Sequence, residues 1–237
     1  MKVRGERECQ ECETRWSYYE TGSVECPACG SLRSVGVDEE RKLHTASAVT
    51  LDLSAVRNAT DEEPLRRVAE RAVEEVRPFV RGSGFIEAGT LLPLSETYLA
   101  ASELRAVADE VRRRSRLTDD EEYYFLSLLR GTDQEERPPT EEVPDSLADA
   151  RGLAYANAVK AYRSDLREYL DEHPDPLVDP VLETLGEHVK RIRALDGAVP
   201  VEDAERLVRA ARALGEYLID GDEMLLTEAQ EYLSRLE

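Results

Sequence analysis

Apolar side chains recur every three or four residues along most of the chain beyond residue 60, which is the spacing of amphipathic helices. The first run extends from Leu65 to Phe79 and follows Thr60-Asp61-Glu62-Glu63, a sequence that predicts a capping box. Later runs predict helices that begin near Ser95, Thr118, Ser146, Asp175 and Pro200, and a last helix around 226–236. Seven helices and no long strand predict an all-α bundle for this part of the chain.

Three stretches interrupt the helical pattern. Alternating apolar residues between 49 and 53 predict that 38–60 is a connector with a short extended piece docked on the helices. Residues 85–94 are apolar and contain glycine, which predicts a packed loop. Residues 131–144 are acidic and rich in proline, so we expect a flexible seam and a site for proteolysis there.

The N-terminal residues follow a different pattern. The segment 14–20 is rich in strand-forming residues, with Trp16 and Tyr18 expected on one face and Tyr19 on the other. Thr21-Gly22-Ser23 supplies a turn, after which the chain returns towards residue 26. The pattern therefore predicts a small hairpin, with Trp16 and Tyr18 in its core and Tyr19 available for a contact.

All four cysteines of the chain stand in two Cys-x-x-Cys pairs, Cys9 with Cys12 and Cys26 with Cys29. Each pair supplies two thiolates from one tight turn, and four thiolates complete a tetrahedral metal site. Gly30 can take the left-handed conformation that often closes such a turn, whereas Glu13 holds the matching place after the first pair. We predict that the four cysteines bind one structural zinc ion.

Other uses of four cysteines compete with zinc. Disulfides are typical of small secreted domains, and the first residues lack the apolar run of a signal peptide, so we expect free thiols. A thioredoxin-like redox pair needs one Cys-x-x-Cys at a strand–helix junction, not two facing pairs. Iron in a rubredoxin-type centre uses the same four sulfurs, and ligand type alone does not separate iron from zinc. Iron is the less favoured alternative.

These patterns together predict the fold class and the domains. The fold is expected to be mainly α, with a small N-terminal β zinc ribbon followed by an all-α multi-helix bundle. The ribbon is expected at 1–37, the connector at 38–60 and the all-helical domain at 61–237, with a possible seam at 131–144.

The charge balance suggests where the protein works. Acidic residues outnumber basic ones by 51 to 31, which gives a net charge of −20, and only four of the basic residues are lysines. A dense carboxylate surface with few lysines is what we expect of a protein adapted to a salt-filled cytoplasm, where salt screens the self-repulsion of the chain. An acidic protein of an ordinary cell is the alternative, but it leaves the scarcity of lysine unexplained.

Charge also limits the partners. Residues 1–37 carry a net charge of only −1, so the strongly acidic helical body is a poor match for nucleic acid. If nucleic acid binds, we expect it on the ribbon, where Arg15, Tyr19 and Arg33 are the candidate contact residues for any partner. The sequence contains no run of 18 apolar residues, so we expect no membrane span.

The helical part carries no recognisable catalytic motif. A thiolate ribbon on a helical bundle invites comparison with rubrerythrins, whose di-iron site needs Glu-x-x-His pairs. The residues three positions before His44, His173 and His188 are not glutamates, so that pair does not occur. The sequence also lacks a P-loop and a His-Glu-x-x-His motif. We therefore expect a protein that is not an enzyme; an enzyme with an unmarked pocket in the helical body is an alternative.

Several stretches resemble an uncharacterised haloarchaeal zinc-ribbon family. They are residues 2–23 with the Cys26-Pro27-Ala28-Cys29-Gly30-Ser31 run, and Asp120-Glu121-Glu122-Tyr123-Tyr124-Phe125-Leu126 and Arg151-Gly152-Leu153-Ala154-Tyr155 in the helical part. The resemblance implies a cytoplasmic protein of a salt-adapted archaeon and no known activity. The ribbon is also similar to that of transcription factor B, which in its own family docks on RNA polymerase.

Only the metal ligands carry over from transcription factor B, because its cyclin-like repeats are not recognisable here. The leading hypothesis is a zinc-binding interaction module, whose ribbon docks on a protein or nucleoprotein partner, with transcription as the setting that the resemblance implies. The first alternative is a rubredoxin-like electron carrier with iron in the four-sulfur site. The sequence does not indicate the oligomeric state.

Overall fold

Helices form most of the protein, and the strands are short. The computed structural model describes residues 1–236. The predicted fold class is confirmed: small antiparallel sheets lie in the N-terminal part and long helices make up the remainder. Among the described residues, no helix combines the length and the apolar character needed to cross a membrane.

The N-terminal part is built on a three-stranded antiparallel sheet. Strand β2 is central and pairs with β3 on one side and β4 on the other. A separate pair, β1 with β5, ties the start of the chain to the connector. The elements are β1 (Lys2–Val3), β2 (Glu6–Cys9), β3 (Arg15–Ser17), helix α1 (Tyr18–Thr21), β4 (Ser34–Gly36) and β5 (Lys42–Leu43).

The predicted hairpin in residues 14–26 is wrong in its details. Strand β3 ends at Ser17, and Tyr18 and Tyr19 belong to the short helix α1, which Gly22 ends in a left-handed conformation. The return strand of the ribbon is not the segment before Cys26 but β4, which begins at Ser34. The strand therefore does not present Tyr18 and Tyr19 on opposite faces.

The connector contains a helix that the sequence pattern did not predict. Helix α2 (Ser54–Asn58) follows the extended piece, of which Leu53 is buried and Val49 is exposed. The predicted packed loop at 85–94 is buried at Phe85, but it also contains a small hairpin of β6 (Ile86–Glu87) and β7 (Thr90–Leu91).

All seven predicted helices are present. They are α3 (Leu65–Gly82), α4 (Glu96–Arg113), α5 (Asp119–Gly131), α6 (Asp145–Leu170), α7 (Asp179–Ala194), α8 (Val201–Asp220) and α9 (Glu223–Ser234). The capping box predicted at Thr118 forms, since its hydroxyl accepts the Glu121 amide at 3.3 Å and the Glu121 carboxylate accepts the Thr118 amide at 2.8 Å.

Two predicted helix starts are wrong. Thr60 lies in a 3-10 turn, and α3 begins only after Pro64, because proline restricts the residue before it to extended conformations. Asp175 does not open α7, because its carboxylate accepts the Leu177 amide at 2.9 Å and closes a local turn. Thr60 also bonds within its own turn, since its hydroxyl donates to the Arg57 carbonyl at 2.7 Å.

Two apolar clusters fill the helical body. The first cluster joins α2, α3 and α5 to the middle of α4, with Val68, Leu104 and Phe125 fully buried. The second cluster joins α6, α7, α8 and α9, with Val159, Leu185 and Leu207 fully buried. Helices α4 and α6 contribute side chains to both clusters, so the two halves of the body are packed together along these helices.

A buried ion network lies between the two clusters. Glu103 of α4 lies 3.5 Å from the Arg151 guanidinium of α6 and accepts hydrogen bonds from the hydroxyls of Tyr124 and, at 2.8 Å, Tyr155. Arg151 also pairs with Glu205 of α8. Burial raises the pKa of the Glu103 carboxyl, and the neighbouring Arg151 charge opposes that rise. The network thus joins four helices through largely buried charged groups and tyrosine hydroxyls.

The predicted seam contributes one side chain to this network. Arg137 lies 3.1 Å from the Glu205 carboxylate, and its Nε donates to Glu96 at 2.6 Å. Two 3-10 turns, Thr132–Gln134 and Thr140–Glu142, flank this arginine. The flexibility and protease sensitivity of 131–144 stay predictions.

Loss of one partner in the buried ion network should destabilise the helical body strongly. We expect Arg151→Met to lower the free energy of unfolding by about 3–5 kcal/mol, because Glu103 is left buried without its countercharge. Adding Glu103→Gln should recover part of the loss. Denaturant unfolding followed by circular dichroism measures both.

The matched control is Arg67→Met, which removes an ion pair with Glu70 on an exposed helix face. We expect this control to change the free energy of unfolding by less than about 0.5 kcal/mol. Equal effects of Arg151→Met and Arg67→Met would show that the buried network does not hold the helices together.

Candidate metal centre

The two Cys-x-x-Cys turns have the same backbone geometry. The amide of Cys9 donates to the Thr14 carbonyl at 2.9 Å, and the amide of Cys26 donates to the Ser31 carbonyl at 2.9 Å. Both bonds span five residues, so each turn folds back on itself and places its two sulfurs on one side. The turns are therefore equivalent, although their sequences share only the cysteines and a hydroxyl residue at the last position.

Glu13 takes the place that glycine takes in the second turn. The Glu13 amide donates to the Cys9 carbonyl at 3.1 Å, as the Gly30 amide does to the Cys26 carbonyl at 2.9 Å. Both residues are left-handed, with φ of 58° at Glu13 and 71° at Gly30. The absence of glycine after Cys12 therefore leaves the turn unchanged, but it places a side chain where backbone strain is expected.

The four sulfurs lie close enough together to surround one ion. All four Sγ atoms lie within 4.8 Å of one another. The separations are 3.6 Å for Cys9–Cys29, 3.5 Å for Cys12–Cys26 and 3.4 Å for Cys12–Cys29. A tetrahedral zinc with Zn–S bonds of about 2.3 Å requires sulfurs about 3.8 Å apart. The cluster therefore fits a single metal ion after a small expansion.

The thiols interact strongly with one another. Hydrogen bonds with the hydroxyl and the backbone of Thr14 lower the pKa of Cys12 to about 6. A backbone hydrogen bond with Ser31 lowers the pKa of Cys29, but hydrogen bonds with the other thiols outweigh it and the pKa rises to about 12. One thiolate forms readily and a further one does not, so a bound cation is what would stabilise four thiolates together.

A small apolar cluster supports the sulfurs. Trp16 of β3 is buried against Cys9 and Cys26, and its indole N–H donates to the Ser23 carbonyl at 3.0 Å. Among residues 1–37, these three side chains form the one apolar cluster of the ribbon. Such a small core contributes little burial, so we expect the ribbon to need a further source of stability such as a bound metal.

The three candidate contact residues lie in different settings. Arg15 is exposed on β3 and pairs across the strands with Glu8 at 2.5 Å, and Arg33 is exposed and pairs with Glu11 at 2.7 Å. Tyr19 is half-buried, because its ring covers Gly5, where a Cβ atom would lie only 2.0 Å from the ring. The structure therefore leaves two of the three side chains facing solvent.

Tyr19 and His44 join the ribbon to the helical body. Their ring centroids are 4.8 Å apart, and the buried His44 accepts the Ala88 amide of the β6–β7 hairpin at 3.3 Å through Nδ1. Burial lowers the pKa of His44. Next to it, the hydroxyl of Thr45 donates to Asp165 of α6 at 2.6 Å. His44 and Thr45 thus attach the ribbon to the helical body. No local sequence motif indicates this role.

Comparison with known proteins identifies the family of the chain but assigns no activity to it. The chain belongs to a family of unknown function, DUF7117, whose sequence model matches residues 1–233. No curated protein and no solved structure shows a significant match to the chain.

Glycine at position 13 should relieve the strain of the first turn. A residue other than glycine in the left-handed conformation lowers the stability by about 1–2 kcal/mol. Glycine removes this strain, but it lowers the stability by about 0.5–1 kcal/mol because the unfolded chain gains entropy. We expect Glu13→Gly to keep the metal stoichiometry and to raise the stability of the ribbon by up to about 1 kcal/mol. Gly30→Ala should do the opposite, since it introduces a Cβ at φ 71°. Chelator-dependent unfolding of both variants tests this, and a less stable Glu13→Gly variant would contradict it.

Metal removal should unfold the ribbon and leave the helices folded. Trp16 is the one tryptophan of the chain and lies against two of the ligands, so its fluorescence reports on the ribbon alone. A strong chelator should shift the emission to longer wavelength, while the helical circular dichroism at 222 nm stays nearly constant. Readdition of the metal should restore the emission. An unchanged Trp16 spectrum in metal-free protein would contradict the account.

Proposed function

We propose that the chain is a zinc-stabilised interaction module, in which the metal holds a small ribbon that docks on a protein or nucleoprotein partner. The observation that carries this proposal is the closed set of four sulfurs around one point. A tetrahedral zinc with four cysteine ligands keeps no open position for a substrate, which is typical of structural sites.

Zinc is the metal that we propose, with Cys9, Cys12, Cys26 and Cys29 as its ligands. Bound there, it would neutralise the thiolates and cross-link the two turns; the surrounding residues bring the sulfurs together and shield them with Trp16. A rubredoxin-like iron carrier would use the same ligands. Zinc is favoured because the sequence lacks the Glu-x-x-His pairs of the di-iron site that a rubrerythrin-type electron carrier would serve.

The ribbon is the part of the chain that we propose makes the contact. It carries a net charge of −1 within a chain of −20, so it is the surface least repelled by an acidic partner or by nucleic acid. Arg15 and Arg33 project from it, each held by a carboxylate, and guanidinium groups can exchange such a partner for one on another molecule. Tyr19 contributes by fixing the ribbon on the bundle.

The cellular setting belongs to the same proposal. Its support is the high negative charge with four lysines, together with the resemblance of the ribbon to that of transcription factor B. We propose that the protein works in the cytoplasm of a salt-adapted archaeon and that its partner belongs to the transcription machinery. At about 1 M salt the Debye length is about 3 Å, so recognition there would depend on direct contacts.

We propose that the helical body is not catalytic. Its most perturbed titratable groups belong to the buried ion network, where Glu103 and Glu205 are matched by Arg151 and Arg137. A network in which each carboxylate already has an arginine partner is typical of a structural role. The competing proposal is an enzyme with a pocket in the helical body, which would require polar groups that converge on a bound substrate.

Binding of the partner should depend on the ribbon surface as well as on the metal. We expect the double variant Arg15→Glu/Arg33→Glu to keep its metal and its Trp16 emission, yet to recover each wild-type partner about tenfold less in pull-downs at matched high salt. Cys26→Ser should lose the metal and the same partners. Quantitative mass spectrometry of the bound proteins and nucleic acids measures the recovery.

The control is Arg66→Glu/Arg77→Glu, an equal charge change at two exposed arginines of α3 in the helical body. It should recover the wild-type partners at the wild-type level. Identical recovery by the ribbon variants and by this control would overturn the proposal, and partners lost by the control alone would place the contact on the helices.

A further inference from the structure

A cavity of about 390 Å³ lies between α3, α4 and α6, far along the chain from the cysteines. Its volume is in the range of sites that hold small molecules. Small side chains leave the space open: its apolar lining consists of Val80, Ala106, Ala150, Leu153, Ala154 and Ala158. The walls therefore suit the apolar body of a ligand.

The charges around this cavity are not balanced. Its two carboxylates are already paired within α4, Asp109 with Arg112 at 2.7 Å and Glu110 with Arg113 at 3.0 Å. Arg81 and Arg105 also line the cavity, and within residues 1–236 neither has a carboxylate within 4.0 Å. In a chain of net charge −20, a cavity with two unpaired arginines is a local positive site.

Tyr98 also lines the cavity, and its hydroxyl is free of partners among residues 1–236. Tyr98 is only 4% exposed, its ring packs edge-on against Phe85 at 5.0 Å, and its hydroxyl has no hydrogen-bond partner in the described part of the chain. Burial raises the pKa of Tyr98, and the nearby Arg105 charge opposes that rise. The hydroxyl is thus a neutral donor available to a ligand.

A larger cavity of the helical body, of about 580 Å³, shows the contrast. It lies beside Arg137 and Arg151, but these arginines are paired with Glu96, Glu103 and Glu205. One further arginine that lines it, the exposed Arg209, has no carboxylate within 4.0 Å in residues 1–236. The cavity at Arg105 has two such arginines, so an anion held by two guanidinium groups displaces no carboxylate of the chain there.

We propose that the cavity between α3, α4 and α6 binds a small organic anion, with its acid group between Arg81 and Arg105 and its apolar body on the alanine floor. Guanidinium groups match carboxylates, sulfonates and phosphates through paired hydrogen bonds. The proposal does not depend on the metal or on the docking partner, because none of the lining residues belongs to the ribbon.

Titration with 8-anilinonaphthalene-1-sulfonate, a sulfonate on an aromatic body, tests this site in the full-length protein with its metal bound. We expect saturable binding of one molecule per chain, seen as a rise in dye fluorescence and by calorimetry. Arg105→Gln should weaken binding by about tenfold, since it removes a charged hydrogen-bond donor. Ala106→Leu, at a half-buried position of the floor, should weaken it similarly by filling the space.

The matched control is Arg77→Gln, an exposed arginine one turn before Arg81 on α3 that does not line the cavity. It should bind the dye as the wild type does. Inorganic phosphate, which has the acid group without the apolar body, should bind far more weakly than the dye. Thermal melts check that each variant is folded.

Absence of saturable dye binding would overturn the proposal. So would equal affinity of the wild type, Arg105→Gln and Ala106→Leu, since the dye would then lie elsewhere. Phosphate binding as tight as that of the dye and unaffected by Ala106→Leu would refute the apolar part of the site.

Discussion

Four sulfurs confined within 4.8 Å of one another set the main physical constraint on the N-terminal part of this protein. Thiolates at this distance repel, and hydrogen bonding separates the pKa values of Cys12 and Cys29 to about 6 and about 12. A divalent cation would neutralise this repulsion, and its bonds to all four sulfurs would cross-link the two turns. Because the ribbon otherwise packs only Trp16 against two ligands, its shape and any surface that it presents follow from this site.

In the helical body, arginines and carboxylates join two apolar clusters. Its two apolar clusters meet along α4 and α6, and the buried ion network fills the boundary with Glu103, Arg151 and Glu205. Satisfied pairs of this kind specify which helices meet, while unpaired arginines such as Arg81 and Arg105 are left to bind something else. Within the helical body, the pairing of the arginines therefore separates structural charge from a candidate recognition site.

Local sequence patterns predicted most of the helices and the cluster of four cysteines. The helical periodicity and the Thr118 capping box were sufficient for the seven long helices, and the cysteine spacing was sufficient for the sulfur cluster. The predictions were wrong in short segments, where contacts with the rest of the structure decide the conformation. The segment around Tyr19 has a strand-like composition, but Tyr19 lies in helix α1, where its ring covers Gly5. Ion pairs such as Glu103 with Arg151 could not be predicted, because carboxylates and arginines are so frequent that their sequence positions carry no signal.

The most direct test of the account is the metal content of the purified protein, measured together with its absorption spectrum. The protein should be purified in high salt without added metal. The account predicts one zinc ion per chain and no absorption in the visible range, with the metal lost in Cys26→Ser. A coloured, reducible iron centre would contradict the structural role of the site and favour electron transfer. A metal-free protein whose Trp16 is still buried would contradict the dependence of the ribbon on its four sulfurs.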